Sequence, residues 1–305
     1  MNVKSHKVSS KYAKQSFNTI GLFLILYALF TLFIPYALHM YMVISDSSIM
    51  KDEFMYYGIY FIIILFGTII PFFLMRKTFK ISLKSMARNI SASFIDLFVQ
   101  TIVVFTLCIA LTYVSNIIFS NFGIESKLIS SIGFSYDEAN LNNILYVFML
   151  IIVTPLIEEY AFRGVLLNAL SKYGKNFALY TSAFIFAIAH LNLVEFIPAF
   201  AMGVLLGKVS LRYKSIIPTI MIHILFDGLI YALCVIPANI TRYMAYGLVA
   251  IIAIAVFLII SGRYERIRIQ KFKSSKTAFK LFFTSPSVIF SIVLLLLDTV
   301  LFMYF

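Results

Sequence analysis

Apolar runs long enough to cross a bilayer recur from one end of the 305-residue chain to the other, and no other feature limits its fold as strongly. A helix needs about 20 apolar residues to traverse the hydrocarbon core. Runs of that order lie near residues 19–44, 56–75, 93–119, 143–170, 176–194, 196–212, 215–236, 243–261 and 285–305. In lipid every backbone polar group must be satisfied within its own segment, so such runs are helices. The hydrophobic fraction of 62% against 12% charged residues decides between a membrane bundle and a soluble domain, which could not hide so much apolar surface. The chain reads as all-α, a polytopic membrane helix bundle of about nine transmembrane helices. The number falls to eight if the fifth and sixth runs, only a few residues apart, do not both span.

The net charge of +12 would suggest nucleic acid in a soluble protein. Here the basic residues fall between apolar runs, so they read as topology signals and nucleic acid is excluded as a partner. Lys4, Lys7, Lys11 and Lys14, then Arg76, Lys77, Lys80, Lys84 and Arg88, then Lys172, Lys175, Lys208, Arg212 and Lys214 all fall on one side. The opposite loops hold Lys51, Lys127 and Arg242 and most of the acids. The N-terminus is therefore expected in the cytoplasm and the C-terminus outside. The first run is too long for a signal-peptide core and lacks a cleavage site, so it reads as an uncleaved span. Cys108 and Cys234 sit in apolar runs without metal-binding spacing and read as packing residues. Three regions result: N-terminal transmembrane helices over 1–142, a polar-bearing helical core over 143–236, and C-terminal helices over 237–305 with a basic cytoplasmic linker at 262–280 that can lie on anionic lipid heads. Richness in Ile, Phe, Lys, Asn and Tyr suggests a bacterial origin, which would make the membrane a plasma membrane.

Ionisable side chains inside spans are costly and face a protein interior or a wet cavity. The span interiors hold Glu158, Glu159 and Arg163, then His39, His190, His223 and Asp227, with Asp96 and Asp298 near span ends. Glu159 and Arg163 are spaced i, i+4 and can pair on one helix face. Glu158 lies about 100° around the helix, free to point elsewhere. Pro155 removes a backbone hydrogen bond just before it. His190 closes "FIFAIAH" within the fifth run, with Phe186 one turn earlier on the same face. His223 and Asp227 are again i, i+4. Gly203 and Gly207 form a G-x-x-x-G that lets a neighbouring helix approach closely.

Taken singly, each of these has a structural explanation: a buried ion pair, a packing histidine, an intrahelical His–Asp bond. Together they lie on three helices. Counted at about 1.5 Å per residue from the cytoplasmic ends, Glu158 and His223 sit roughly 12–20 Å deep and His190 near mid-membrane. The set suits a divalent metal, zinc being the expected ion, held by Glu158, His190, His223 and Asp227 and activating water. It equally suits a metal-free scheme in which Glu158 is the base and the histidines stabilise an oxyanion. Both serve peptide-bond hydrolysis, with a peptide or membrane protein as substrate and membrane lipids as surroundings.

At these residues the chain resembles the CPBP family, which includes CAAX prenyl endopeptidases and bacteriocin-processing or immunity proteins and is also called Abi. The resemblance rests on Glu158-Glu159-x-x-x-Arg163, Phe186-x-x-x-His190 and His223-x-x-x-Asp227 on successive helices, with Phe200, Gly203 and Gly207 between them. It covers roughly residues 143–236. It implies an intramembrane metallo-endopeptidase with Glu158 activating water, His190, His223 and Asp227 completing the site, and Glu159 and Arg163 also required. Asp227 stands where the prenyl-protein branch carries Asn, which weakens any transfer of prenyl specificity. The other function to be weighed is a non-catalytic member of the same fold, acting in bacteriocin immunity or as a cell-envelope scaffold.

Overall fold

The computed structural model describes residues 10–45, 53–87, 93–121, 145, 147–235 and 276–304. Those residues form helices and no strand. Helix α1 (Ser10–Ala28) continues through a π-helical turn, Leu29–Phe33, into α2 (Ile34–Ile44). Helices α3 (Glu53–Thr78), α4 (Leu83–Met86) and α5 (Phe94–Ser120) follow. A composite rod comes next. It consists of a π-helical segment Met149–Val153, α6 (Thr154–Glu158), a second π-helical segment Glu159–Leu166, and α7 (Leu167–Ser171). The core closes with α8 (Lys175–Ile188), α9 (Leu193–Tyr213) and α10 (Ile217–Val235), and α11 (Lys276–Phe283) and α12 (Pro286–Tyr304) end the chain.

Four described helices are long and apolar enough to cross a membrane: Ser10–Ile44, Phe61–Thr78, Phe94–Ser120 and Leu193–Tyr213. A fifth results if α11 and α12, bent by 69° at their junction, count as one. The protein is thus a multi-pass membrane helix bundle, and the expected nine spans are not all recovered. The run at 243–261 and the linker up to residue 275 lie outside the described residues. The run expected at 176–194 folds as α8, only 14 residues long. At 1.5 Å per residue that is about 21 Å, short of the roughly 30 Å hydrocarbon core. The chain reverses at Ala189–Asn192, where Leu191 takes a left-handed φ of 56°. Asn192 then caps α9, accepting from the Val194 N–H at 2.9 Å while its own amide donates to Glu195 at 2.9 Å. The α8–α9 pair is therefore a helical hairpin with a tight turn, and His190 sits in that turn instead of inside a span.

Aromatic packing builds the core at the basic ends of the helices. Phe17 of α1 meets Tyr173, Phe177 and Phe282 with ring centroids 4.6, 5.5 and 5.4 Å away. The last of these comes from α11, whose apolar face covers α1 and α8, so residues 276–280 of the expected linker are part of a packed helix. Ser287 at the start of α12 donates to the Asn18 carbonyl at 2.8 Å, tying the C-terminal helix to α1.

Glycines set the tightest approaches. A Cβ on Gly203 would lie 2.9 Å from both Cα and Cβ of Ala183, so the G-x-x-x-G seam on α9 is the contact with α8. Overpacking of that kind costs about 1–3 kcal/mol. Gly203→Ala is expected to lower the melting temperature of the purified protein in detergent. Gly58→Ala, where a Cβ meets nothing within 4 Å, should not. Thermal unfolding of the two variants beside the parent checks this.

Candidate functional site

The site is assembled around the irregular part of the rod. Pro155 has no N–H and would interrupt a regular helix. The chain absorbs this with two wide π-helical turns on either side of α6. Side chains take up the carbonyls that the wide turns leave poorly served. Thr154 Oγ1 donates to the Met149 carbonyl at 3.1 Å, and the Asn168 amide donates to the carbonyls of Gly164 at 2.8 Å and Arg163 at 3.2 Å. The backbone hydrogen bond that Pro155 removes is thus accommodated by these turns. Glu158 ends α6 and Glu159 opens the second π-helical segment, so the two carboxylates leave the rod in different directions.

Glu159 is fully buried, and Arg163 and His223 are 2% and 4% exposed. Glu159 Oε1 accepts from Arg163 Nη1 at 2.6 Å, the pairing its spacing predicts. The same oxygen is 2.9 Å from His223 Nδ1 on α10, a contact that no spacing within one helix could reveal. Thr219, one turn before His223 and fully buried, places its hydroxyl beside the Glu159 carboxylate and donates it to the Ile216 carbonyl at 2.8 Å. Thr219 was missed in sequence, where a threonine one turn from a histidine carries no distinguishing signal.

With Nδ1 committed to Glu159, His223 turns Nε2 toward the other two acids. Glu158 Oε2 and Asp227 Oδ2 each lie 3.8 Å from that nitrogen. Their side chains are 26% and 24% exposed, so this is the accessible side of the cluster. An imidazole that donates from Nδ1 points an Nε2 lone pair at two carboxylates, an arrangement that needs a proton or a cation between them. Three carboxylates facing one guanidinium, when ionised, carry a surplus of negative charge that asks for the same remedy.

His190 joins through an aromatic ring. Its Nδ1 is 2.8 Å from the Phe186 carbonyl, and its ring packs edge-on to Phe186 with centroids 4.6 Å apart. Phe186 also meets His223 at 6.3 Å and Phe162 at 5.1 Å. The Arg163 guanidinium lies over the Phe186 face at 4.1 Å. The structure therefore gathers Glu158, Glu159, Arg163, His223 and Asp227 into one polar network and attaches His190 to it across Phe186. Among the described residues, no three His, Cys, Asp or Glu side chains are gathered to hold a metal as they stand. Donors bound at about 2.0–2.1 Å to a tetrahedral ion are about 3.3 Å apart. Glu158 and Asp227 would each have to close by about half an ångström on His223. The donor chemistry, one imidazole nitrogen and two carboxylates backed by a third carboxylate on Nδ1, is of the kind that takes zinc.

Residues 140–229 match the family described as type II CAAX prenyl endopeptidase Rce1-like. Over 94 residues the chain is 35% identical to the membrane-embedded CAAX protease MroQ of Staphylococcus aureus (strain USA300), covering 28% of this chain and 38% of that relative's length. Both findings support the CPBP family for this chain, and both fall on the region that carries the polar network. No solved structure matches the chain.

Removing one partner from a buried ion pair leaves an uncompensated charge and costs about 3–5 kcal/mol. Arg163→Met is therefore expected to lower stability in detergent sharply, and adding Glu159→Gln to it should recover part of the loss. Thermal unfolding of the single and double variants measures the recovery.

Proposed function

We propose that the chain is an intramembrane endopeptidase that hydrolyses a peptide bond in a membrane-associated peptide or protein. The carrying observation is the division of the cluster. Glu159 is consumed by Arg163 and His223 in a buried pair of bonds, while Glu158 is left on the open side, next to His223 Nε2 and Asp227. A partly exposed carboxylate in an otherwise apolar setting is suited to take a proton from water. His223, when protonated at Nε2 as well as at the Nδ1 held by Glu159, and His190 supply donors for the oxyanion of the tetrahedral intermediate. Glu159, Arg163 and Thr219 fix where these groups stand. The family match and the similarity to a membrane-embedded CAAX protease support the same reaction class.

A divalent metal, zinc in the first place, would be held by Glu158, His223 and Asp227, with His190 as a further ring nitrogen near it. When bound, such an ion lowers the pKa of a coordinated water and polarises the scissile carbonyl. Without it, Glu158 and the two histidines carry the reaction as base and oxyanion donors. The substrate class follows from the surroundings. The rod and α10 carry exposed apolar side chains on their outer faces, Leu156, Met221, Leu225 and Leu229 among them, so the site is embedded among apolar surfaces and a substrate segment would reach it from a bacterial cell membrane.

Glu158→Ala and His223→Ala should each abolish cleavage while membrane insertion is retained. The assay is cleavage of quenched-fluorescent peptides with a C-terminal Cys-aliphatic-aliphatic-Met sequence, with and without a farnesyl group, by protein in lipid nanodiscs. If both variants cleave like the parent, the endopeptidase reading is wrong. A family protein acting by binding alone, as in bacteriocin immunity, would cleave in no form. Elemental analysis addresses the ion separately. About one equivalent of zinc in the parent, lost in Asp227→Ala, supports a metallo-enzyme, and no divalent ion in either supports the glutamate–histidine scheme.

A further inference from the structure

Met86 is the last residue of α4, in the basic loop between α3 and α5 and far in sequence from the family match at 140–229. Its neighbours Leu83, Lys84, Ser85 and Ala87 are exposed, whereas Met86 is buried at 2% exposure. The loop turns this one side chain inward, to the back of the buried ion pair. A Cβ built on Gly164, the residue after Arg163, would lie 3.3 Å from Met86 Sδ, 3.6 Å from the Glu159 carbonyl oxygen and 3.6 Å from Ile216 Cδ1. Met86, the rod and the start of α10 therefore converge on one point beside the backbone of Glu159. An unbranched thioether suits an irregular gap of this kind, and the missing Cβ of Gly164 leaves room for it.

The backbone of Met86 makes a second link. Its carbonyl accepts from the Ile216 N–H at 2.8 Å. Ile216 stands just before α10, and its own carbonyl accepts from the Ile220 N–H at 2.9 Å and from the Thr219 hydroxyl at 2.8 Å. An N–H at the start of a helix has no partner within that helix, so the loop supplies one. Seven residues, two helical turns, separate Ile216 from His223, which places both on one face of α10. Met86 thus touches the rod through its thioether and α10 through its carbonyl. The same two elements meet next to it in the 2.9 Å contact of Glu159 with His223.

We propose that Met86 is a positioning residue of the site, wedged between the rod and α10 and setting the separation at which His223 meets Glu159. The inference deepens the endopeptidase reading and rests on it. His223 presents Nε2 to Glu158 and Asp227 only while its Nδ1 is held by Glu159. A change in the spacing of the two helices lengthens that bond and frees the ring, and catalysis is sensitive to misplacements of about 1 Å. The loop between α3 and α5, outside the matched region, thereby acts on the site without touching substrate.

Met86→Ala tests this, with Met86→Leu as the volume-conserving variant. Met86→Val, a smaller truncation, takes the place of Met86→Ala if the latter does not fold. Phe282→Leu is the packing control, since Phe282 belongs to the same apolar core but sits on α11 against Phe17 and Phe177. Two readouts on the full chain in nanodiscs are compared. The first needs no substrate: NMR of the imidazole N–H groups in protein carrying isotope-labelled histidine, with the His223 signal assigned by its loss in His223→Gln and His39 as reference. Met86→Ala is expected to shift or abolish the His223 Nδ1 proton signal and leave His39 unchanged, while Met86→Leu and Phe282→Leu keep both. The second is cleavage of the two fluorescent peptides. Met86→Ala should lower kcat about tenfold, as a small misplacement of a reacting group does, with KM unchanged, and Met86→Leu should restore it. A parent-like His223 signal and kcat in the truncated variant would overturn the proposal, as would equal changes in Phe282→Leu, which would make Met86 a packing residue only. If Glu158→Ala is inactive while Met86→Ala is parent-like, the positioning role fails and the endopeptidase reading stands. If no form cleaves either peptide but the His223 signal responds to Met86→Ala and not to Phe282→Leu, the wedge stands and the endopeptidase reading falls.

Discussion

Oε1 of Glu159 accepts from Arg163 at 2.6 Å and stands 2.9 Å from His223 Nδ1, in a place closed to solvent. Taking a carboxylate and a guanidinium out of water is expensive, and their mutual attraction repays it only when the geometry is good. That condition has consequences on every side. Arg163 must keep its place on the rod, which the Asn168 amide secures by binding the carbonyls of Arg163 and Gly164. Its guanidinium must be covered, and the face of Phe186 covers it at 4.1 Å. α10 must approach the rod closely enough to bring His223 within hydrogen-bonding range. One buried pair thus ties together the rod, α8 and α10.

The same pair explains why two adjacent glutamates differ in character. Glu159 is held through Oε1 by Arg163 and His223 and shielded from solvent. Glu158 ends the regular turn before it and remains 26% exposed, with its nearest nitrogen 3.8 Å away. Because His223 is fixed through Nδ1, its other nitrogen is presented to Glu158 and Asp227 without freedom to turn. Residues that a substrate would not touch therefore determine the arrangement of those it would.

Much of this was readable in the sequence, and the unread part has physical causes. Local spacing exposed the Glu159–Arg163 pair and the shared face of His223 and Asp227, because i, i+4 geometry is a property of one helix. Gly203 announced a close helix approach, although which helix approaches, α8, required the tertiary structure. The Glu159–His223 bond spans 64 residues, and nothing periodic encodes a contact between two helices. The place of His190 was misread for a different reason. Hydropathy does not distinguish a span from a short apolar helix followed by a reversal, and the reversal depends on a left-handed Leu191 and an Asn192 cap within an apolar run. The π-helical turns were invisible too. Pro155 advertises a break but not how the chain repairs it, and the repair is made by Thr154 and Asn168, polar residues common in any helix.

Phe186 shows why a motif of this kind includes a residue with no reactive group. Its face neutralises no charge but gives Arg163 an attractive, water-excluding cover, worth more where competing water is absent. Its edges orient two imidazoles from different parts of the chain. Its backbone carbonyl engages Nδ1 of His190, leaving the other ring nitrogen available. A leucine of similar bulk could fill the volume but would offer neither a face to the guanidinium nor directional edges to the rings. The spacing Phe186-x-x-x-His190 is thus a structural requirement: the ring one turn before the histidine both holds it and joins it to the ion pair across the bundle.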